Sequence, residues 1–193
     1  MSKLDVERLM GISRPAMARF ARFEPKRWDR RAILLELVGE VGALAHHVQR
    51  WDGFKHGRAD MVKLADECSD VMFMLLRLAE ADAVTLPRYV EAPHPDGSRA
   101  ADLMLDLSGC VTRLLQTVGD GRETLVAAME RLATLADLVG IDLAKEHERE
   151  MRIAMQYFDA AGDHWPRIRV LRNLRAVLQL WRLMREKKRW PRQ

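Results

Sequence analysis

The chain has 193 residues, 48% of them hydrophobic, and a formal net charge of +4, which suits one mainly helical domain or two small ones. Cys68 and Cys110 lie within apolar periodic segments, which argues against a disulfide framework and favours a reducing compartment. The sequence has no signal-peptide core and no run of about 18 apolar residues, so it predicts a cytoplasmic protein without a transmembrane segment.

The first half of the chain predicts a helical hairpin. Residues 4–23 predict one or two short helices, and Pro25 separates them from a long helix over about 30–51. A loop with two glycines follows and leads into a second long helix over about 59–83. Residues 85–99 contain three prolines and a glycine, so this segment is predicted to be a linker.

The second half predicts a similar hairpin. Helical periodicity resumes over about 101–118, 122–139 and 141–158. Residues 33–44 (ILLELVGEVGAL) align with residues 103–114 (LMLDLSGCVTRL) at a constant offset of 70. The alignment predicts a degenerate tandem repeat.

The predicted fold class is therefore all-α, with a four-helix-bundle core made of two helical hairpins. The first hairpin spans about 30–84 and the second about 100–140, followed by one more helix. These elements form a predicted domain over residues 1–160. Residues 161–193 are predicted to be a basic C-terminal helical extension.

The C-terminal extension differs in charge from the rest of the chain. From Arg167 to Gln193 there are ten Lys or Arg residues and one acid, and apolar residues recur at spacings of four and three. This pattern predicts a basic amphipathic helix. Its apolar side is expected to dock on the domain or on another subunit. The alternatives are that its arginines bind nucleic acid phosphates or an anionic membrane surface.

Acidic residues lie beside the apolar stripes of the first two long helices. One row of the first long helix consists of Glu36, Glu40, Ala43 and His47. On the second long helix, Glu67 and Asp70 are three residues apart and share a side. If the two helices pack antiparallel through their stripes, the acids of one helix face those of the other.

Facing carboxylates repel each other, and a bound cation is a common reason for such an arrangement. Carboxylate oxygens on rigid helices suit Mg²⁺, with Mn²⁺ as the alternative ion. The other interpretation of these acids is a solvated helix face. Spacing alone does not decide between the two interpretations.

Two segments of the first hairpin resemble a known family. LLELVGEVGALAHHVQRW (34–51), followed after a loop by KLADECSDVMFMLLRLA (63–79), is similar to the MazG-like all-α nucleoside triphosphate pyrophosphatases, and most similar to their dCTP pyrophosphatase and dimeric dUTPase types. The resemblance is strong over about 28–86 and fainter over 101–155. The family pattern is Glu-x-x-Glu on one helix and Glu-x-x-Asp on the next, which together bind Mg²⁺.

The resemblance implies that Glu40, Glu67 and Asp70 hold the metal. Glu36 is expected to assist as a further ligand or as the base for the attacking water. The residues expected to contact the substrate are Trp51, His47, Lys63, Lys145, Arg149 and Arg152. Two positions depart from the family pattern: Ala43 replaces the second glutamate, and Arg149 replaces an asparagine of the closing element.

The resemblance thus predicts a Mg²⁺-dependent enzyme that cleaves a nucleoside triphosphate to the monophosphate and pyrophosphate, in a housecleaning role for nucleotide pools. A homodimer is expected, because family members commonly assemble. The alternative function follows from Ala43: a nucleotide-binding or adaptor protein with weakened catalysis, whose basic tail contacts nucleic acid or a protein partner.

Overall fold

A computed structural model describes residues 2–93, 97–117 and 121–161. In this part of the chain the fold is all-α, as predicted, apart from two short paired strands. The strands are β1 (Ser2–Asp5) and β2 (Tyr89–Ala92). The helices are α1 (Val6–Phe23), α2 (Arg30–Trp51), α3 (Met61–Ala81), α4 (Ala100–Gln116), α5 (Arg122–Leu138) and α6 (Leu143–Ala161).

The four central helices form the predicted bundle. Helix α2 packs against α3 in a first hairpin, and α4 packs against α5 in a second. The hairpins meet where α2 contacts α4 and where α3 contacts α5. The apolar stripes identified in the sequence are buried there, including Leu37, Leu44, Leu75, Leu107 and Leu132. Cys68 and Cys110 are also buried in this core as free thiols.

Both ends of α4 are held by residues near the ends of α2. The Asp52 carboxylate, just after α2, accepts a hydrogen bond of 2.8 Å from the backbone N–H of Ala101. At the opposite end, Arg30 donates from Nη2 to the carbonyl oxygen of Leu114 at 3.0 Å. Its Nε also donates to Asp82 at 2.9 Å. Helices α2 and α4 are therefore antiparallel, and their ends are joined by hydrogen bonds.

Local sequence signals explain where the helices begin and end. Four helices begin with an aspartate whose carboxylate accepts a backbone N–H of the first turn: Asp5 for α1, Asp29 for α2, Asp60 for α3 and Asp142 for α6. Three helices are followed by a residue with positive φ, namely Gly53 after α2, Ala83 after α3 and Gly140 after α5.

The two hairpins end in the same way. The backbone N–H of Val84 bonds the carbonyl of Ala79 at 2.9 Å, and that of Ile141 bonds the carbonyl of Ala136 at 2.8 Å. These bonds close the same type of helix C-terminal motif around Ala83 and Gly140. The two segments align in sequence at an offset of 57. The tandem repeat itself stays a prediction.

The strand pair was not predicted. Residues 4 and 5 were expected to begin a helix, and residues 85–99 were expected to be an irregular linker. The structure instead pairs β1 with β2 in antiparallel register, Leu4 opposite Val90. Both of these side chains are buried. The hydrogen bonds between the strands satisfy backbone N–H and C=O groups that would otherwise be buried without a partner.

Helix α1 is a single helix with Pro15 inside it, whereas the sequence was compatible with either one helix or two. Among the described residues, no helix is long and apolar enough to cross a membrane. The predicted C-terminal basic helix lies outside the described residues. The chain divides into two units, 1–154 and 155–193, and the structure describes only residues 155–161 of the second, which form the end of α6.

Candidate functional site

Three acids from α2 and α3 meet at one place. Glu40, Glu67 and Asp70, which we call the first carboxylate group, each place an oxygen within 4.8 Å of the other two. The group forms because α2 and α3 pack through adjacent apolar stripes, and each acid lies at the border of its stripe. All three side chains belong to partly buried residues. Three of the four acids expected from the sequence to face one another therefore converge, and Glu36 is not among them.

The electrostatics of the first carboxylate group oppose full ionisation. Burial, followed by the charges of neighbouring acids including Glu40 and Glu67, raises the pKa of Asp70 to about 7. Burial, followed by the charges of Glu36 and Glu67, raises the pKa of Glu40. The pKa of Glu67 is also raised, mainly by burial, with the charge of His47 acting in the opposite direction. At neutral pH the group is stabilised either by a proton or by a cation.

The donor set fits a hard divalent ion. It consists of carboxylate oxygens, which are the preferred ligands of Mg²⁺ and also suit Mn²⁺. Two oxygens bound to one Mg²⁺ at about 2.1 Å lie at most about 4.2 Å apart, so the observed spacing requires only small side-chain rotations. A cation there would offset the repulsion that raises the three pKa values.

The remaining residues of the acidic row on α2 lie around this group. Glu36 is exposed and is not one of the three converging acids, although its charge acts on Glu40. Ala43 is partly buried and lies one turn after Glu40. His47 is buried, its Nε2 is 3.9 Å from Glu67 Oε1, and its Nδ1 has no hydrogen-bond partner among the residues that the structure describes. The position of the missing glutamate is therefore flanked by Glu40 and by an imidazole.

The residues predicted to contact a substrate are spread over three helices. Trp51 ends α2 with 41% of its surface exposed. Lys63 is exposed in the first turn of α3, with its ammonium 3.8 Å from the Asp60 carboxylate. Lys145 and Arg152 on α6 are exposed. These side chains are accessible to a ligand, and their substrate roles stay predictions.

A second cluster of acids was not predicted from sequence. Asp66 of α3 and Glu146 and Glu150 of α6, which we call the second carboxylate group, also place three oxygens within 4.8 Å of one another. Arg149 lies among them and forms ion pairs with all three. The sequence does contain a signal, because Glu146 and Glu150 are one turn apart on α6. Their meeting with Asp66 depends on how α6 packs against α3.

A buried histidine connects three helices behind these acids. His147 of α6 is fully buried, with Nε2 2.7 Å from the Ser13 hydroxyl of α1 and Nδ1 3.2 Å from the Ser69 hydroxyl of α3. Ser13 donates its proton to the carbonyl of Leu9 at 2.8 Å, so it accepts from Nε2–H of the imidazole. The neutral tautomer of His147 that carries its proton on Nε2 therefore satisfies this network.

Burial lowers the pKa of His147 to about 4, and an interaction with the backbone of Ser69 acts against this shift. A histidine with no access to solvent and with its nitrogens bonded to serines serves the packing of α1, α3 and α6. It holds α6 beside α3, where the second carboxylate group forms.

No protein-family model, no curated protein and no solved structure matches the chain. The resemblance to the MazG-like pyrophosphatases therefore depends on the motifs of α2 and α3 quoted above. The class of protein that the structure itself defines is an all-α helical bundle with clustered carboxylates on adjacent helices.

Proposed function

We propose that the protein is a divalent-cation-dependent nucleoside triphosphate pyrophosphatase of the MazG-like type. The observation that carries the proposal is the convergence of Glu40, Glu67 and Asp70 from two helices. These residues are the ones that align with the metal-binding pattern of the family. In the proposed reaction, water adds to a phosphorus of the substrate, the bond between the α and β phosphates breaks, and the products are a nucleoside monophosphate and pyrophosphate.

Each part of the site has a proposed task. Glu40, Glu67 and Asp70 would hold the ion, which when bound polarises a phosphoryl group and activates water. Glu36 lies one turn before Glu40 and is exposed, and its proposed task is to accept a proton from the attacking water. Lys63 and Trp51 are accessible near the ends of α3 and α2 that the 52–60 loop connects, where they could meet phosphate and base.

Ala43 favours a second candidate function, in which the protein binds nucleotides and hydrolyses them slowly or not at all. A missing carboxylate removes one charged ligand, and ligand charge contributes to the affinity of oxygen sites for divalent ions. The two candidate functions share the same site and differ in turnover. They are therefore separated by one set of variants.

The test is release of pyrophosphate from a panel of dNTPs and NTPs with Mg²⁺ or Mn²⁺. Release should be abolished by Glu67→Gln and by Asp70→Asn. It should survive Asp106→Asn, which changes an exposed acid of α4 that pairs with Arg131. If both site variants keep the activity of the parent, the proposed site is wrong.

Ala43→Glu distinguishes enzyme from binding module. If the parent protein is inactive and Ala43→Glu creates metal-dependent release, the protein is a nucleotide-binding module with weakened catalysis. If the parent is active and the added carboxylate changes little, the three existing acids are sufficient. A correctly folded parent and variant that neither bind nor hydrolyse any nucleotide would overturn both candidate functions.

A further inference from the structure

The positively charged side chain of Arg149 lies within the second carboxylate group. Arg149 donates from Nη2 to Asp66 Oδ1 at 2.6 Å, and the same nitrogen is 2.7 Å from Glu150 Oε1. It also hydrogen-bonds Glu146, through Nη2 and through Nε at 2.9 Å. One guanidinium therefore contacts every member of the group, and it joins the acid of α3 to the two acids of α6.

The two carboxylate groups are neighbours. Asp66 precedes Glu67 in the sequence and lies one turn before Asp70 on α3. The charges of Glu150 and Asp66 both contribute to the raised pKa of Asp70, and the charge of Asp66 contributes to that of Glu67. Charges of the second group thus act on the first, and Arg149 offsets one of the three negative charges of the second group.

We propose that Arg149 is a built-in cation that fills the second carboxylate group, so that the protein binds a single exchangeable divalent ion, in the first group. The inference rests on the proposed function, because that function places an ion on Glu40, Glu67 and Asp70. The second group offers the same kind of oxygen cluster as the first. The second group also contains the guanidinium of Arg149, which pairs with all three of its acids.

A guanidinium in the second carboxylate group differs chemically from a metal ion bound there. A guanidinium supplies a single fixed positive charge and hydrogen-bond donors, and it stays protonated at any physiological pH. It cannot bind water as a Lewis acid or exchange with the medium. In this proposal Arg149 is a positioning residue that fixes α6 to α3 and sets the number of ions, and the substrate contact expected at Arg149 stays a separate prediction.

The test counts Mn²⁺ ions bound per chain, with the signal of free Mn²⁺ followed by electron paramagnetic resonance during a titration of the full chain. The parent should bind one ion. Arg149→Met and Arg149→Gln should each bind two, because both remove the positive charge from the second group and leave its carboxylates in place. Arg149→Lys keeps a positive charge and should bind one. Arg14→Met, which removes the charge of an exposed arginine on α1 that pairs with Glu80, should also bind one.

Further variants assign each ion to its group. In the parent, Asp70→Asn should reduce the number of bound ions from one to none. In Arg149→Met, the same change should reduce the number from two to one. Adding Glu146→Gln to Arg149→Met should return the count from two to one. Circular dichroism and thermal melting identify any variant that fails to fold, and Arg149→Gln replaces Arg149→Met if the latter does.

The proposal is overturned if folded Arg149→Met and Arg149→Gln bind no more Mn²⁺ than the parent, or if the parent already binds two ions. A parent that binds none, with one ion gained on loss of Arg149, would support the role of Arg149 and contradict the proposed metal site of the enzyme. Failure of the inference and failure of the proposed function therefore give different counts.

Discussion

Ser13 and His147 are 134 residues apart in the sequence and are joined by a buried contact of 2.7 Å between Oγ and Nε2. The contact ties α1 to α6, and the other nitrogen of the imidazole faces Ser69 of α3. Since the network is complete when His147 is neutral, protonation of the ring opposes the folded state.

The first prediction concerns acid stability. Folding lowers the pKa of His147 from 6.5 to about 4, so the unfolded chain binds this proton more readily. Stability from this residue is fully present above about pH 6.5 and is lost as the pH falls towards 4. The loss should be roughly 3 kcal/mol across this window. Chemical denaturation at pH 7 and pH 4 should show a steeper decline for the parent than for His147→Gln, and equal declines would contradict the prediction.

The second prediction concerns Asp70 in the absence of divalent ions. Its pKa is raised from 3.8 to about 7 in the folded chain, so its contribution to stability is present below about pH 4 and is lost as the pH rises through 7. Asp70→Asn removes the charge and should be more stable than the parent by roughly 2 kcal/mol at pH 8, after allowance for partial solvation. The gain should vanish near pH 4. Urea denaturation in EDTA measures it, and a variant less stable than the parent at pH 8 would refute the argument.

The third prediction concerns a largely buried ion pair that connects the end of α1 to α3. Glu24 pairs with Arg77, their side chains are only 8% and 11% exposed, and the guanidinium also lies 4.4 Å from the centroid of the Trp28 ring. Arg77→Met leaves the Glu24 carboxylate without its cation and should cost about 3 kcal/mol of unfolding free energy. The double variant Glu24→Gln/Arg77→Met should recover much of this loss.

An exposed pair provides the control for that experiment. Arg14 and Glu80 are 3.1 Å apart, with side chains that are 61% and 48% exposed. Arg14→Met should cost less than about 1 kcal/mol, because water already solvates both charges. Similar losses for Arg14→Met and Arg77→Met would show that burial does not control the strength of these pairs.

The fourth prediction concerns the residue that follows α3. Ala83 is exposed and has φ of 52°, a conformation that costs an L-residue about 1–2 kcal/mol and costs glycine little. Ala83→Gly should raise the free energy of unfolding by roughly 0.5 kcal/mol, because the relief of backbone strain is partly offset by the greater entropy of glycine in the unfolded chain.

The reciprocal change is available at the end of α5. Gly140 has φ of 78°, and no atom of the described part of the chain lies within 4 Å of a Cβ added to it, so Gly140→Ala introduces backbone strain without a clash there. It should destabilise the protein by about 1 kcal/mol. If both changes have the same sign, the backbone argument is wrong.

The helices and the first carboxylate group were predictable because their signals are local. Apolar spacing located α2 to α5, and Glu40, Glu67 and Asp70 lie on the same side of their helices in any packing that buries those stripes. A two-residue error in helix limits, as at the start of α3, leaves this geometry unchanged.

The second carboxylate group and the His147 network were not predictable in this way. Asp66 meets Arg149 across 83 residues, and His147 meets Ser69 across 78. Both contacts depend on the angle at which α6 crosses α3, which periodicity does not encode. The strand pair was missed for a related reason, since β1 and β2 have four residues each and show too little alternation to identify a strand.

The hydrogen bonds at the two ends of α4 have a consequence for how the protein folds. Helix α4 lacks a side-chain cap of its own, and the Asp52 carboxylate beyond α2 takes that place at Ala101, while Arg30 binds the carbonyl of Leu114. An isolated second hairpin would leave these backbone groups to water and its helix ends would fray. The amide protons at both ends of α4 should therefore become protected from exchange only when the first hairpin has formed, which makes the two hairpins one cooperative unit.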